Sequence, residues 1–149
     1  MRAVIQRVKN ARVEVDNRVT GKIGWGILVL LGIGREDDQR DADYVIDKSI
    51  NLRIFEDAEG KMNLSLLDIR GEMLIISQFT VMADCRKGRR PSFIAAEDPD
   101  KANDLYRYFI EQTKERGVFV STGKFQSLME VTLVNHGPVT ILIDSKKVF

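Results

Sequence analysis

The spacing of apolar residues changes several times along the chain, and each change marks a predicted element. Arg2 to Val8 reads as a strand, with Val4 and Ile5 flanked by polar residues. Val13-Glu14-Val15-Asp16 alternates with period two, as a half-buried strand does. Asp16-Asn17 carries turn chemistry, and Val19 to Ile23 returns, which predicts a hairpin. Ile27 to Leu31 is an unbroken apolar run between glycines, the pattern of a central strand covered on both faces. Arg53-Ile54-Phe55 is a further short strand, followed by a turn at Asp57 to Gly60. Met73 to Ile76 is another buried strand and runs into Ser77-Gln78-Phe79-Thr80. Near the end, Met129, Val131 and Leu133 alternate. A turn at Asn135-His136-Gly137-Pro138 is predicted next, and then a last apolar strand over 139–143.

Two segments switch to the helical period. Ala42, Val45, Ile46, Ser49 and Ile50 fall on one face, and Asp37, Asp38 and Asp41 stand near the start, where the helix dipole favours acidic groups. In the second, Asp98 is placed to cap, Pro99 suits the first helical position and Gly117 suits the stop. Its apolar stripe is Ala102, Leu105, Tyr106, Phe109 and Ile110. No internal repeat, low-complexity tract or linker divides the chain. The prediction is one α+β domain over residues 1–149. Its β-sheets are mixed and largely antiparallel, barrel-like or sandwiched, and two main helices pack on the outside.

Composition narrows the class. The 149 residues are 44% apolar and 30% charged, an ordinary globular balance that can bury a core without staples. The single cysteine, Cys85, cannot form an internal disulfide, so a reducing, cytoplasmic setting is expected. One histidine and one cysteine are too few for a Cys/His zinc site. No cofactor or metal is expected, although counting alone leaves a carboxylate site open. The N-terminus lacks the apolar core of a signal peptide, and the longest apolar run, 26–34, falls short of the ~20 residues a bilayer needs. No membrane partner is therefore expected. A net charge of +1 argues neither for nor against nucleic acid, because a local basic cluster suffices.

Three stretches carry candidate chemistry. Residues 82–97 lack periodicity and are long for a connection, a mark of functional loops. They hold Arg86, Lys87, Arg89 and Arg90, a set able to grip phosphates or simply to be solvated. Ser77-Gln78-Phe79-Thr80 ends a buried strand, where site residues gather, although such side chains more often satisfy local backbone. Gly137-Pro138 permits unusual backbone angles and close approach to a ligand, although an ordinary hairpin turn is the plainer reading. Cys85 and His136, with Asp84 as orienter, are a thiolate–imidazole candidate. Neighbours in sequence rarely face one another, and a lone cysteine is usually inert. Glu56, Asp57 and Glu59 read as solvated.

Taken together, these stretches resemble the D-aminoacyl-tRNA deacylases, across essentially the whole chain. The resemblance is carried by the opening strand 1–8, by Asn51 to Phe55 and Gly60 to Asn63, and by Ser77-Gln78-Phe79-Thr80. It continues in Lys87-Gly88-Arg89-Arg90-Pro91-Ser92-Phe93, in Asn135 and in Gly137-Pro138-Val139-Thr140. Each short motif is unspecific, and their order and spacing are not.

The resemblance implies hydrolysis of the ester joining a D-amino acid to tRNA, and of glycyl-tRNA as well. It implies a homodimer with active sites at the subunit interface, where a cis Gly137-Pro138 pair reaches into the partner's pocket and rejects L-aminoacyl groups. Arg7 falls where the family's bracing arginine stands. Ser77, Gln78, Phe79 and Thr80 are the implied catalytic residues, and Phe125 and Met129 join Gly137, Pro138 and Arg7 in substrate binding. Arg86, Lys87, Arg89 and Arg90 are the implied tRNA contacts. The resemblance implies that no side-chain nucleophile is needed and that the RNA 2′-hydroxyl helps activate water; backbone N–H donors near Phe79 and Thr80 are the expected groups to stabilise the oxyanion. Two positions depart. Gln126-Ser127 stands after Phe125 where Gly-Ala is usual, and His136 stands where Asp usually precedes Gly-Pro. Both bear on substrate range, and an inward-pointing Gln126 would narrow the pocket. The competing expectations are a non-catalytic tRNA-binding accessory domain and a cysteine hydrolase using Cys85 and His136.

Overall fold

A computed structural model describes residues 1–149. The elements run β1 (Arg2–Val15), β2 (Arg18–Ile23), β3 (Gly26–Gly32), α1 (Gln39–Asn51), β4 (Phe55–Glu56), β5 (Met62–Leu64), β6 (Glu72–Ser77), α2 (Pro99–Glu115), β7 (Phe119–Thr122) and β8 (Glu130–Asp144), with a short 3-10 turn at Phe79–Met82 after β6. The main sheet has the order β2-β1-β3-β6-β7, and β8 pairs with β1. β1 is antiparallel to β2, β3 and β8, whereas β3, β6 and β7 are mutually parallel. The small pair β4-β5 stands apart.

Side-chain alternation on the strands sorts the core into two layers. Ile27, Val29 and Leu31 of β3, with Met73 and Ile75 of β6, enter the larger cluster. Leu28 of β3, with Leu74 and Ile76 of β6, enter the smaller one. Successive strand residues point to opposite faces, so β3 and β6 are covered on both sides. Both helices cover the larger cluster. Ala42, Val45, Ile46, Ser49 and Ile50 of α1 are all buried, as their spacing predicts. So are Ala102, Leu105, Tyr106 and Phe109 of α2, whereas Ile110 is only half-buried and Thr113 takes the next inward place. The smaller cluster is enclosed by curvature. β2 folds toward β7, where the Lys22 amide donates to Ser121 Oγ at 2.9 Å. Gly21 lies against the Thr122 carbonyl with no space for a side chain. The result is a nearly closed barrel with two helices outside.

Local chemistry sets the ends of these elements. Asp38 caps α1 by accepting from the Arg40 and Asp41 amides, and Asp41 returns a bond to the Asp38 amide. Pro99 opens α2 and Gly117 follows its end at φ +86°. Asp98 stands at the N-cap but makes no side-chain capping bond. Asp16 and Asn17 take φ of 50° and 59°, the left-handed pair that a two-residue hairpin turn needs.

The structure corrects three expected boundaries. The first two predicted strands are one, β1, because Arg2–Val15 pairs along its length with β8 and changes partner from β3 to β2 on its other side. The strand expected at Arg53 to Phe55 is Phe55–Glu56. The predicted turn at Asn135 to Pro138 does not reverse the chain. Both halves of β8 pair with β1, Asn135 opposite Val8 and Thr140 opposite Gln6. The four residues His136, Gly137, Pro138 and Val139 therefore bulge out opposite the single residue Arg7.

Candidate active site

The end of β6 forms one wall of a cleft. Ser77 pairs with Leu31, and the Gln78 amide donates to the Leu31 carbonyl at 2.8 Å. The chain then coils into the 3-10 turn Phe79–Met82. Gln78 Nε2 donates to Thr80 Oγ1, which ties the two side chains together at the rim. The cleft has a volume of about 830 Å³ and is lined by Ser77, Gln78, Phe79, Phe93, Phe125 and Met129, among others. It therefore gathers five of the predicted site residues, with Thr80 bonded to one of them. Neither the cysteine nor the histidine lines it.

Beneath the cleft, Tyr106 of α2 donates its hydroxyl to the Ile75 carbonyl at 2.8 Å, and its ring lies 5.8 Å from that of Phe125. Burial pushes the Tyr106 hydroxyl well above its ordinary value, so it stays a neutral donor. Phe79 stands exposed at the rim and meets Phe93 edge-on, with centroids 5.0 Å apart. Neither Phe93 nor Tyr106 is among the predicted site residues; Tyr106 is expected only on the apolar stripe of its helix. Nothing in the sequence indicates which aromatic rings will face each other from separate elements.

Phe93 also anchors the basic loop. Asp84 and Ser92 exchange backbone bonds at 2.8 and 3.0 Å and close the loop's neck. Arg86 folds back on Asp84 through two contacts of 2.9 and 2.7 Å. That guanidinium holds the Asp84 carboxyl far below the usual carboxylate range. Lys87, Arg89 and Arg90 are exposed and make no ion pair, and Gly88 turns the tip at φ +71°. The four cations thus divide into one that holds the loop and three that face solvent.

Gly137 and Pro138 stand exposed on the β8 bulge, and neither they nor Arg7 line this cleft. The Gly137–Pro138 bond is cis. Buried Arg7 holds the bulge from behind. Its Nε donates to the His136 carbonyl at 3.0 Å and its Nη1 to the Ile54 carbonyl at 2.6 Å. The Val139 amide donates to Asn135 Oδ1 at 3.0 Å, closing the bulge from the other side. The His136 ring packs edge-on against Trp25, with centroids 4.9 Å apart. His136 is therefore part of the bulge's support. Cys85 is exposed on the basic loop, and the thiolate–imidazole pair is not formed.

No helix is long and apolar enough to cross a membrane. A family profile described as D-Tyr-tRNA(Tyr) deacylase matches residues 4–144. The chain is 60% identical to a D-aminoacyl-tRNA deacylase of Syntrophus aciditrophicus over 149 residues, the full length of both. It is 56% identical over the same span to one of Clostridioides difficile. Among solved structures, one described as c-Myc DNA Unwinding Element Binding Protein superposes with a TM-score of 0.92 at 41% identity, covering 97% of this chain and 98% of the other. A probable eukaryotic D-amino acid tRNA deacylase shares the fold, with a TM-score of 0.82 at 18% identity over 95% of this chain and 97% of its own. With its motifs, fold and full-length relatives in agreement, this chain belongs to the D-aminoacyl-tRNA deacylase family.

Proposed function

We propose that this chain hydrolyses the ester of D-aminoacyl-tRNA in the cytoplasm, working as a homodimer and sparing L-aminoacyl-tRNA. The observation that carries the reading is a division of labour between two places. The Ser77–Thr80 turn borders a largely apolar cleft with no histidine to activate a nucleophile, while the braced Gly137–Pro138 bulge projects outside that cleft. A second copy supplying its bulge would complete each cleft, and β8 has an edge left unpaired by any strand of its own chain.

Hydrolysis passes through a tetrahedral oxyanion. The first N–H groups of a helical turn lack partners within it. Phe79 and Thr80 open such a turn at the rim. One donor of this kind lowers the barrier by about 3 kcal/mol. Gln78 and Ser77 shape the bound ester, Phe125 and Met129 form its apolar wall, and the ribose 2′-hydroxyl assists the attacking water. Chirality is read by main chain. Carbonyls set against the α-carbon leave no room for an L side chain whatever its identity, so one site serves many amino acids. Glycine has no side chain to exclude and glycyl-tRNA is accepted. Lys87, Arg89 and Arg90 hold the tRNA backbone.

The test is release of amino acid from D-tyrosyl-tRNA and L-tyrosyl-tRNA side by side. Release from the D form alone supports the reading. Binding of tRNA without release would instead make this an accessory tRNA-binding domain.

A further inference from the structure

Five non-glycine residues adopt positive φ: Asp16, Asn17, Arg70, Gln126 and Lys147. Only Gln126 among them lines the cleft. At φ +56° a glutamine sits in left-handed backbone that glycine occupies freely and a branched-out side chain enters at a cost. The side chain gains no internal bond for it. Gln126 is exposed, and its amide makes no hydrogen bond within the chain. On one side stands Phe125, whose ring is backed by Tyr106; on the other, after Ser127, stand Leu128 and Met129, with Leu128 93% exposed. A free amide thus hangs beside aromatic and thioether surfaces at a cleft mouth. That is the arrangement by which proteins hold an unstacked base: its face on apolar side chains, its edge on a side-chain amide.

We propose that Gln126 recognises the Hoogsteen edge of the terminal adenine of the tRNA, its Oε1 accepting from N6 and its Nε2 donating to N7. Glutamine is matched to adenine in this bidentate way because its amide offers one acceptor and one donor at the spacing of those two atoms. Strain at Gln126 is then retained because the amide must be presented at this point of the rim. The inference deepens the deacylase reading and rests on it.

The experiment measures kcat and KM for D-tyrosyl-tRNA ending in adenosine or in 7-deazaadenosine, which lacks the N7 acceptor. It compares the parent protein with Gln126→Gly. Glycine adopts this φ without strain, so the variant folds as the parent does. The parent should lose about tenfold in kcat/KM on the deaza substrate, mostly through KM. Gln126→Gly, which removes both contacts, should lose at least as much on the natural substrate and show no further loss on the deaza one. Gln126→Glu keeps the length and the acceptor for N6 but cannot donate to N7, so on the natural substrate it should match the parent's loss on the deaza substrate, with no further loss on the deaza one. An equal response of parent and Gln126→Gly to the deaza substitution overturns the inference while leaving the deacylase reading intact. No release from either tRNA by the parent removes both.

Discussion

Arg7 Nε donates to the His136 carbonyl at 3.0 Å, and the two residues face each other across the point where β8 leaves its register with β1. A strand that carries four residues opposite one must place their polar groups somewhere. The buried guanidinium collects the carbonyls of His136 and Ile54, with Glu56 Oε1 further off at 3.7 Å. Arg7→Ala should leave those carbonyls unmet in a buried place and lower stability by about 2–4 kcal/mol. Arg7→Lys keeps the charge but not the planar fork, so it should recover stability only in part. Chemical denaturation of both variants, alongside D-tyrosyl-tRNA release, checks this. Arg7→Lys with parental activity would show that the bulge does not depend on the fork.

The space around Gly137 is equally confined. At φ +122° an added methyl would lie 2.6 Å from Arg7 Nη2 and 2.9 Å from Val139 Cγ2. Gly137→Ala should therefore destabilise by about 1–3 kcal/mol through backbone strain and push against the arginine that supports the bulge. The expected readout is slower release from D-tyrosyl-tRNA and a reduced preference for D over L. Unchanged D/L preference in a folded variant would separate chiral selection from this residue.

The bulge also shows where a sequence stops being legible. The α1 face could be read because its period is local: every residue it names is buried. The double coverage of β3 could be read because an unbroken apolar run has few other homes. Asn135 to Pro138, by contrast, carries the composition of a turn. Whether it reverses the chain depends on where the next residues pair, and Thr140 returns to the same strand as Asn135. That is a non-local fact. The cleft divides in the same way. Ser77 to Thr80 is visible as polar residues ending a buried strand, whereas the meeting of Phe79 with Phe93 and of Tyr106 with Phe125 is set by packing between distant segments.

The basic loop should respond unevenly to substitution. Arg86 spends its guanidinium on Asp84, whereas Arg89 and Arg90 make no ion pair. Removing a phosphate contact lowers the dependence of log affinity on log salt by about one unit per contact. Arg89→Ala with Arg90→Ala should therefore weaken tRNA binding and flatten its salt slope. Arg86→Ala should leave the slope near the parent's and loosen the loop. Binding isotherms over a range of potassium chloride distinguish the two, and an unaltered slope in the double variant would remove this loop as the phosphate contact.

Cys85 and His136 offer a test by indifference. The thiol is exposed on the basic loop, and the imidazole packs on Trp25 beneath the β8 bulge. A thiolate mechanism needs the two within hydrogen-bond reach. Cys85→Ala should retain the parent's release rate on D-tyrosyl-tRNA. Abolished activity in that variant would restore the cysteine hydrolase.

Acid should weaken the fold through Asp41. Burial alone would raise this carboxyl, but Lys146 at 2.8 Å, with Ser145 and the Asp38 amide, outweighs it and holds the pKa at about 2, against 3.8 when free. A carboxyl depressed in the folded state binds protons more readily once unfolded. Its stabilising share is therefore complete above the free value and disappears as pH falls through the folded one. Half of Lys146 is solvent-exposed in effect, with its side chain at 44%, so screening reduces the contribution to about 1–2 kcal/mol. Lys146→Ala should lower stability by that amount near neutral pH and less at pH 2, where the parent has itself lost part of the interaction. Urea unfolding at a series of pH values measures both. Parallel stability curves for parent and variant down to the acid limit would mean that the Lys146–Asp41 pair does not set the acid sensitivity.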